Sequence, residues 1–99
     1  MNSNEVISIV GRITVDNSGE MRRMLCKALR SKPAMVTVDL SSVDYMDSSG
    51  AATLVEAMRN ARKQNTRLIL RGVQDQTRYF LKISHLDQFF DIEGEEKRA

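Results

Sequence analysis

The chain has 99 residues, a net charge of +2 and one cysteine, which limits it to a single small domain without an internal disulfide. Tryptophan is absent and the basic residues are spread along the chain, so little supports nucleic-acid binding. No apolar run is long enough to cross a bilayer, and the N-terminus has no signal-peptide pattern. We therefore expect a cytoplasmic protein.

The first predicted elements are a strand and a helix. Residues 6–14 are rich in β-branched side chains and predict a strand, with Gly11 marking a bulge. Asn17 followed by Glu20 has the spacing of a capping box, which predicts the start of a helix. Apolar residues then recur at helical spacing, and Cys26 is expected beside them as a small core residue. The recurring positions are Met21, Met24, Leu25, Ala28 and Leu29.

A second strand and a second helix flank a pair of serines. Residues 35–40 alternate apolar and polar side chains, as a half-buried strand does. After Ser48 and Ser49, apolar residues recur at helical spacing until Asn65, which is suited to a left-handed helix end. The predicted core face of this helix consists of Ala51, Leu54, Val55, Met58 and Ala61.

Shorter elements complete the chain. Residues 67–71 predict a third strand, and Asp75 is expected to cap a third helix. Phe80 and Ile83 of that helix are expected to face the core of the domain, with either Tyr79 or Leu81 beside them. A last apolar cluster predicts a short helix or strand and consists of Leu86, Phe89, Phe90 and Ile92.

Strands that alternate with helices predict an α/β fold made of βαβ units. We expect a single domain over residues 1–99, with its core at about 6–92 and a charged tail at 93–99. Its sheet is expected to have about four strands, mostly parallel or mixed, with helices packed against it. Such folds place their sites beyond the carboxyl ends of the strands. The serine pair lies at a turn of this kind.

The serine pair has a structural and a functional interpretation. Serine is common as a helix N-cap, where its oxygen accepts a bond from a first-turn amide. Alternatively, Ser48 or Ser49 is phosphorylated, because free amides at a helix N-terminus stabilise a phosphate. Asp44 and Asp47 stand close by in sequence and would oppose that charge. The spacing alone leaves both interpretations open.

Catalysis has weaker support than phosphorylation. Asp47, Ser49 and His85 are the only candidates for a Ser–His–Asp set, and His85 is expected at the end of the third helix, where capping explains it. The Gly-x-Ser-x-Gly pattern of a nucleophile elbow is missing. No cluster of His, Cys and acidic residues has metal-ligand spacing. We therefore expect no enzyme activity, no cofactor and no metal.

Residues 38–50, Val-Asp-Leu-Ser-Ser-Val-Asp-Tyr-Met-Asp-Ser-Ser-Gly, resemble the motif of the STAS domain, the fold of bacterial anti-sigma factor antagonists. Residues 11–13, 67–70 and 86–92 resemble further elements of the family, so the resemblance covers about 6–92. It implies a non-catalytic partner-switching module in transcription regulation. The unphosphorylated domain would bind an anti-sigma factor that is also a serine kinase of the histidine-kinase-like ATPase type. A PP2C-type phosphatase would reset the phosphorylated domain.

The resemblance also assigns roles to residues of the loop. Ser49 matches the phosphoacceptor of the family, with Ser48 as its neighbour. The implied partner-binding surface consists of Asp44, Tyr45, Met46, Asp47, Ser48, Ser49, Gly50 and Thr53. No direct contact with nucleic acid and no membrane insertion are implied.

Two departures from the family and one alternative function remain. Antagonists usually have a further strand before the Gly11 element, so the sheet edge is expected to be bare and open to pairing with another chain, a homodimer included. The family usually has glycine where this chain has His85. The same fold serves as an accessory subunit of Mla-type lipid-transport ABC systems, where it binds the ATPase. It also forms the cytoplasmic tails of anion transporters, an interpretation that we set aside because no apolar run of this chain is long enough to cross a membrane.

Overall fold

The computed structural model describes residues 3–94, in which strands and helices alternate as predicted. The strands are β1 (Asn4–Ile13), β2 (Met35–Met46), β3 (Arg67–Arg71) and β4 (Asp91–Ile92). The helices are α1 (Ser18–Arg30), α2 (Ser48–Lys63) and α3 (Asp75–Ile83). The last five residues of the predicted tail lie outside the described range.

The strands form one parallel sheet in the order β1-β2-β3-β4. The predicted bulge is confirmed, because the pairing of β1 with β2 shifts register on either side of Gly11, whose φ is +91°. At the carboxyl edge of the sheet, Ile13 at the end of β1 pairs with Met46 at the end of β2. The turns into α1 and α2 therefore lie side by side.

The core contains the inner residues of the strands together with one face each of α1 and α2, which also pack against each other. Most predicted core positions are confirmed. From the two helices, the buried apolar side chains are Met21, Leu25, Ala28, Leu29, Ala51, Leu54, Ala57, Met58 and Ala61. Val55 is half-buried against the same cluster.

Three predicted core positions are wrong. Met24 is 44% exposed and Cys26 is exposed, because both flank the buried stripe of α1 instead of lying within it. In α3, Leu81 is buried one turn after buried Thr77, whereas Ile83 lies on the other side of the helix and is 54% exposed. Only Leu81 of the two alternative neighbours joins the core.

The helix ends differ from the predictions at two places. The capping box is wrong, because the side chain of Asn17 makes no capping bond to α1. The cap of α3 is Gln74, so Asp75 is instead the first residue of that helix. The left-handed conformation predicted for Asn65 is confirmed at φ +61°. His85 follows α3 at φ +59°, a left-handed conformation that favours glycine.

Candidate functional site

The serine pair lies in the first turn of α2, at the carboxyl edge of the sheet. β2 ends at Met46, and Asp47 is the N-cap of the helix that begins at Ser48. The backbone N–H of Asp47 donates to the carbonyl of Ile13 at 3.1 Å. The start of α2 is therefore tied to the end of β1 as well as to β2.

Asp47, and not a serine, caps α2. Its Oδ1 accepts from the amide of Ser49 at 2.8 Å and from the amide of Gly50 at 3.3 Å. Within residues 3–94, neither the Ser48 hydroxyl nor the Ser49 hydroxyl makes a hydrogen bond. Ser48 is exposed and Ser49 half-buried. The cap interpretation of the serines is therefore wrong, and both hydroxyls remain available to a reagent or a partner.

Gly50 allows the first turn of α2 to lie close to the sheet. A Cβ at this position would stand 2.7 Å from Cγ of Met46 and 2.8 Å from Cγ2 of Ile13. Real Cβ atoms do not approach neighbours so closely, so only glycine fits without movement of the Met46 and Ile13 side chains. The glycine of the motif thus sets how near the serine hydroxyls lie to the sheet edge.

Gln76 holds the residue that precedes the cap, and the sequence offered no signal for this role. Its Oε1 accepts from the amide of Met46 at 2.9 Å, and its Nε2 donates to the carbonyl of Met46 at 3.2 Å. The two bonds link the first turn of α3 to the end of β2. The pattern of an amphipathic helix predicts only a surface position for such a glutamine. Its partner also lies 30 residues earlier in the chain, so local sequence does not indicate the contact.

The predicted partner-binding residues divide into an exposed set and a buried set. Asp44 and Ser48 are exposed, and Tyr45, Asp47 and Ser49 are half-buried. The buried residues are Met46, Gly50 and Thr53, so they shape the loop from below. The hydroxyl of Thr53 donates to the carbonyl of Ser49 at 3.0 Å.

Arg12 joins this surface from the neighbouring strand. Its guanidinium carbon stands 4.4 Å from the centroid of the Tyr45 ring, a cation–π contact that orients both side chains. The register of β1 against β2 makes this contact, because Arg12 is paired with Tyr45 in the sheet. The surface near the serines therefore includes the Arg12 cation beside the carboxylates of the loop.

Asp39 stabilises β2 where the strand shifts its register against β1. The carboxylate accepts from the Ser41 hydroxyl at 2.6 Å, from the Ser41 amide at 2.9 Å and from Arg71 at 3.1 Å. These bonds, those from Ser41 foremost, lower the pKa of Asp39 from 3.8 to about 2. Every partner is structural, so this carboxylate is no candidate for chemistry at the serines.

The Ser–His–Asp set considered from the sequence is not assembled. Gln76 in the first turn of α3 contacts Met46, whereas His85 lies beyond the last turn of that helix. At 1.5 Å per residue, His85 lies about 13 Å along the helix from the turn of α3 that contacts Met46. Across residues 3–94 no three metal-binding side chains gather, and none of the helices is long and apolar enough to span a bilayer.

The chain has similar sequences and similar folds among known proteins. Residues 2–93 match the family model described as "Mlab, STAS domain". The anti-sigma-B factor antagonist of Listeria monocytogenes is 26% identical over 90 residues, which is 91% of this chain and 79% of that protein.

Two solved structures illustrate the similarity of fold. An anti-sigma factor antagonist from Mycobacterium paratuberculosis has a TM-score of 0.84 and 19% identity, covering 96% of this chain and 80% of that one. A sulfate transporter family protein from Wolinella succinogenes has a TM-score of 0.72 and 21% identity, covering 91% of this chain and 76% of that one. The same fold therefore occurs in proteins with different functions, and only the site can distinguish them.

Proposed function

Because this chain belongs to the STAS domain family, we propose that it is an anti-sigma factor antagonist that phosphorylation of Ser49 switches off. The observation that carries the proposal is the cap of α2. Asp47 satisfies two first-turn amides, which leaves the Ser49 hydroxyl without a hydrogen bond within residues 3–94. Because this hydroxyl makes no hydrogen bond that stabilises the fold, it can be phosphorylated without loss of the fold.

A phosphate on Ser49 would change the surface more than the fold. It carries a charge of about −1.5 to −2 at neutral pH. The amides of Ser49 and Gly50 already donate to Asp47, so the helix N-terminus has less to offer the phosphate than an uncapped helix has. The added charge would remain beside the Asp47 carboxylate, where it would repel an acidic partner surface and, through its desolvation cost, oppose contact with an apolar one.

The proposed partner is an anti-sigma factor, as the name of the Listeria relative suggests. In the finer form of the proposal it is a serine kinase of the histidine-kinase-like ATPase type, and a PP2C-type phosphatase removes the phosphate. The contact surface consists of the accessible residues of the loop: Asp44, Tyr45, Asp47, Ser48 and Ser49. The domain itself performs no catalysis in this scheme.

The experiment is affinity capture from the native cell, with intact-mass analysis of the recovered chain. The proposal expects a kinase-type anti-sigma factor and a phosphate mass that maps to Ser49. Ser49→Ala should retain the partner and lose the phosphate, and Ser49→Asp should bind more weakly. Ser48→Ala is the matched control, because its hydroxyl is equally unbonded and one residue away.

An ABC ATPase recovered with its permease, and with Ser49 unmodified, would contradict the proposal. That result would favour the Mla-type accessory subunit, whose name the family description also carries. Equal affinity of Ser49→Asp and the wild type for a captured anti-sigma factor would retain the partner but remove the switch.

A further inference from the structure

The outer strand of the sheet has two exposed valines that no function described above uses. β1 is the terminal strand of the sheet formed by the described residues. On its inner side Ile7 and Ile9 are buried, and on its outer side Val6 is 57% and Val10 73% exposed. A terminal strand presents unpaired backbone N–H and C=O groups along its free edge.

The free edge carries few of the features that prevent pairing with another strand. Residues 4–10 contain no proline and no lysine, which commonly protect such edges. Residues 4–8 pair with β2 in an unbroken register, which shifts between Ser8 and Val10 and again between Gly11 and Arg12. A groove of about 240 Å³ separates α1 from the second half of β1, so the helix leaves this part of the edge accessible.

The spacing of the valines is self-complementary. If a second copy pairs antiparallel with β1 about a two-fold axis at Ser8, then Val6 stands opposite Val10 of that copy, and Ile7 opposite its Ile9. Because the axis is perpendicular to the sheet, the paired residues lie on the same face of the joined sheet. Cross-strand pairs of β-branched residues at such positions stabilise a sheet. A shift of register by two residues would break both valine pairs.

The charges of the strand do not oppose this arrangement. Residues 6–10 carry no charge, and the nearest charged residues of β1 are Glu5 at one end and Arg12 at the other. About the axis at Ser8, Glu5 stands opposite Gly11 of the other copy and Arg12 opposite its Asn4, so no like charges face each other. On the helix side of the sheet, the 44%-exposed side chain of Met24 lines the groove next to the pairing edge.

We propose that this chain forms a homodimer through antiparallel pairing of β1 with β1 of a second copy, centred on Ser8, so that two four-stranded sheets join into one. The paired segment is short, and stable interfaces bury about 1,200–2,000 Å². The dimer is therefore expected to be weak and to depend on protein concentration. The serine loop is not part of this interface, so the dimer stands or falls independently of the switch.

Sedimentation velocity over a wide concentration range tests the dimer. The wild type should shift towards dimer as concentration rises, and Val10→Lys should remain monomeric with an unchanged circular dichroism spectrum. Val15→Lys is the matched control, because Val15 is also 73% exposed but lies outside the strand. A wild type that remains monomeric up to its solubility limit overturns the proposal, as does a Val10→Lys variant that dimerises like the wild type.

Disulfide cross-linking tests the register in a Cys26→Ser background. Ser8→Cys should form a covalent dimer under mild oxidation, because the two-fold axis brings position 8 of both copies together. Val6→Cys alone should cross-link far less, since it faces Val10 of the other copy. Efficient cross-linking of Val6→Cys without that of Ser8→Cys overturns the proposed pairing. If a captured extended peptide, and not a second copy, protects the β1 amides from exchange, the homodimer is likewise overturned.

Discussion

Two neighbouring turns at the carboxyl edge of the sheet use the same class of residue in different ways. Asn17 precedes α1, and Asp47 precedes α2. The side chain of Asn17 turns back to the strand, accepting from the amide of Thr14 and donating to the carbonyl of Arg12. That of Asp47 turns forward and accepts from the first amides of its helix.

The two helix starts also differ in how they are held. In the turn before α1, the side chain of Asn17 bonds back to β1 and to the residue that follows β1, so α1 has no side-chain cap. The turn before α2 is capped, packed on Gly50 and held from a distance by Gln76. Since the first-turn amides are already satisfied there by Asp47, the serine hydroxyls make no hydrogen bond that a modification or a partner would have to break.

The largest expected difference in stability is between alanine substitutions of the two first-turn glycines, Gly50 in α2 and Gly19 in α1. Gly50→Ala should lower the free energy of unfolding by about 1–3 kcal/mol, because the new Cβ overlaps Met46 and Ile13. Gly19→Ala is the control, since its Cβ would meet only the end of the Arg23 side chain at 4.0 Å. It should raise stability by about 0.5–1 kcal/mol. Urea unfolding of both variants measures this, and equal effects would contradict the close approach at α2.

Removal of the long-range contact comes next. Gln76→Ala leaves the amide and carbonyl of fully buried Met46 without their partner and should cost about 1–3 kcal/mol. Gln76→Glu should cost less, because its carboxylate still accepts from the amide of Met46. Hydrogen exchange at that amide reports the bond directly. An exchange rate unchanged in Gln76→Ala would show that α3 does not hold the end of β2.

The two Asx residues themselves provide the third test. Asp47→Ala should lower stability by about 0.5–2 kcal/mol and speed the exchange of the Ser49 and Gly50 amides. Asn17→Ala should cost about 1 kcal/mol and speed exchange at Thr14, with no change in the first turn of α1. Faster exchange in the first turn of α1 would mean that Asn17 caps its helix after all.

The smallest expected effect is the dependence of stability on acid pH that Asp39 causes in β2, the strand before the second turn. The pKa of Asp39 is about 2 in the fold and 3.8 as the unperturbed value, so its carboxylate contributes stability above pH 3.8. That contribution is lost as the pH falls through about 2. Asp39→Asn should therefore show a shallower loss of stability over this range than the wild type. If the stability of Asp39→Asn and of the wild type fell equally with pH, the bonds of Asp39 to Ser41 and Arg71 would not be the cause of the loss.

The sequence by itself determined the features that depend on neighbours along the chain. The period of apolar residues predicted the alternation of strands and helices, and with it the place of the serines at a βα turn. Gly11 as a bulge and Asn65 as a left-handed helix end were also predictable, because each follows from the conformational range of a single residue. The motif at 38–50 indicated the family.

Tertiary structure alone decided what depends on residues distant in sequence. Asn17 and Glu20 have the spacing of a capping box, yet the end of β1 lies within reach of Asn17 and takes its hydrogen bonds. Cys26 is exposed because of the orientation in which α1 packs against the sheet and α2. Gln76 lies 30 residues from Met46 in the chain and meets it only through the packing of α3 against the end of β2. Spacing specifies which contacts a residue can make, and packing selects among them because several partners compete for the same polar groups.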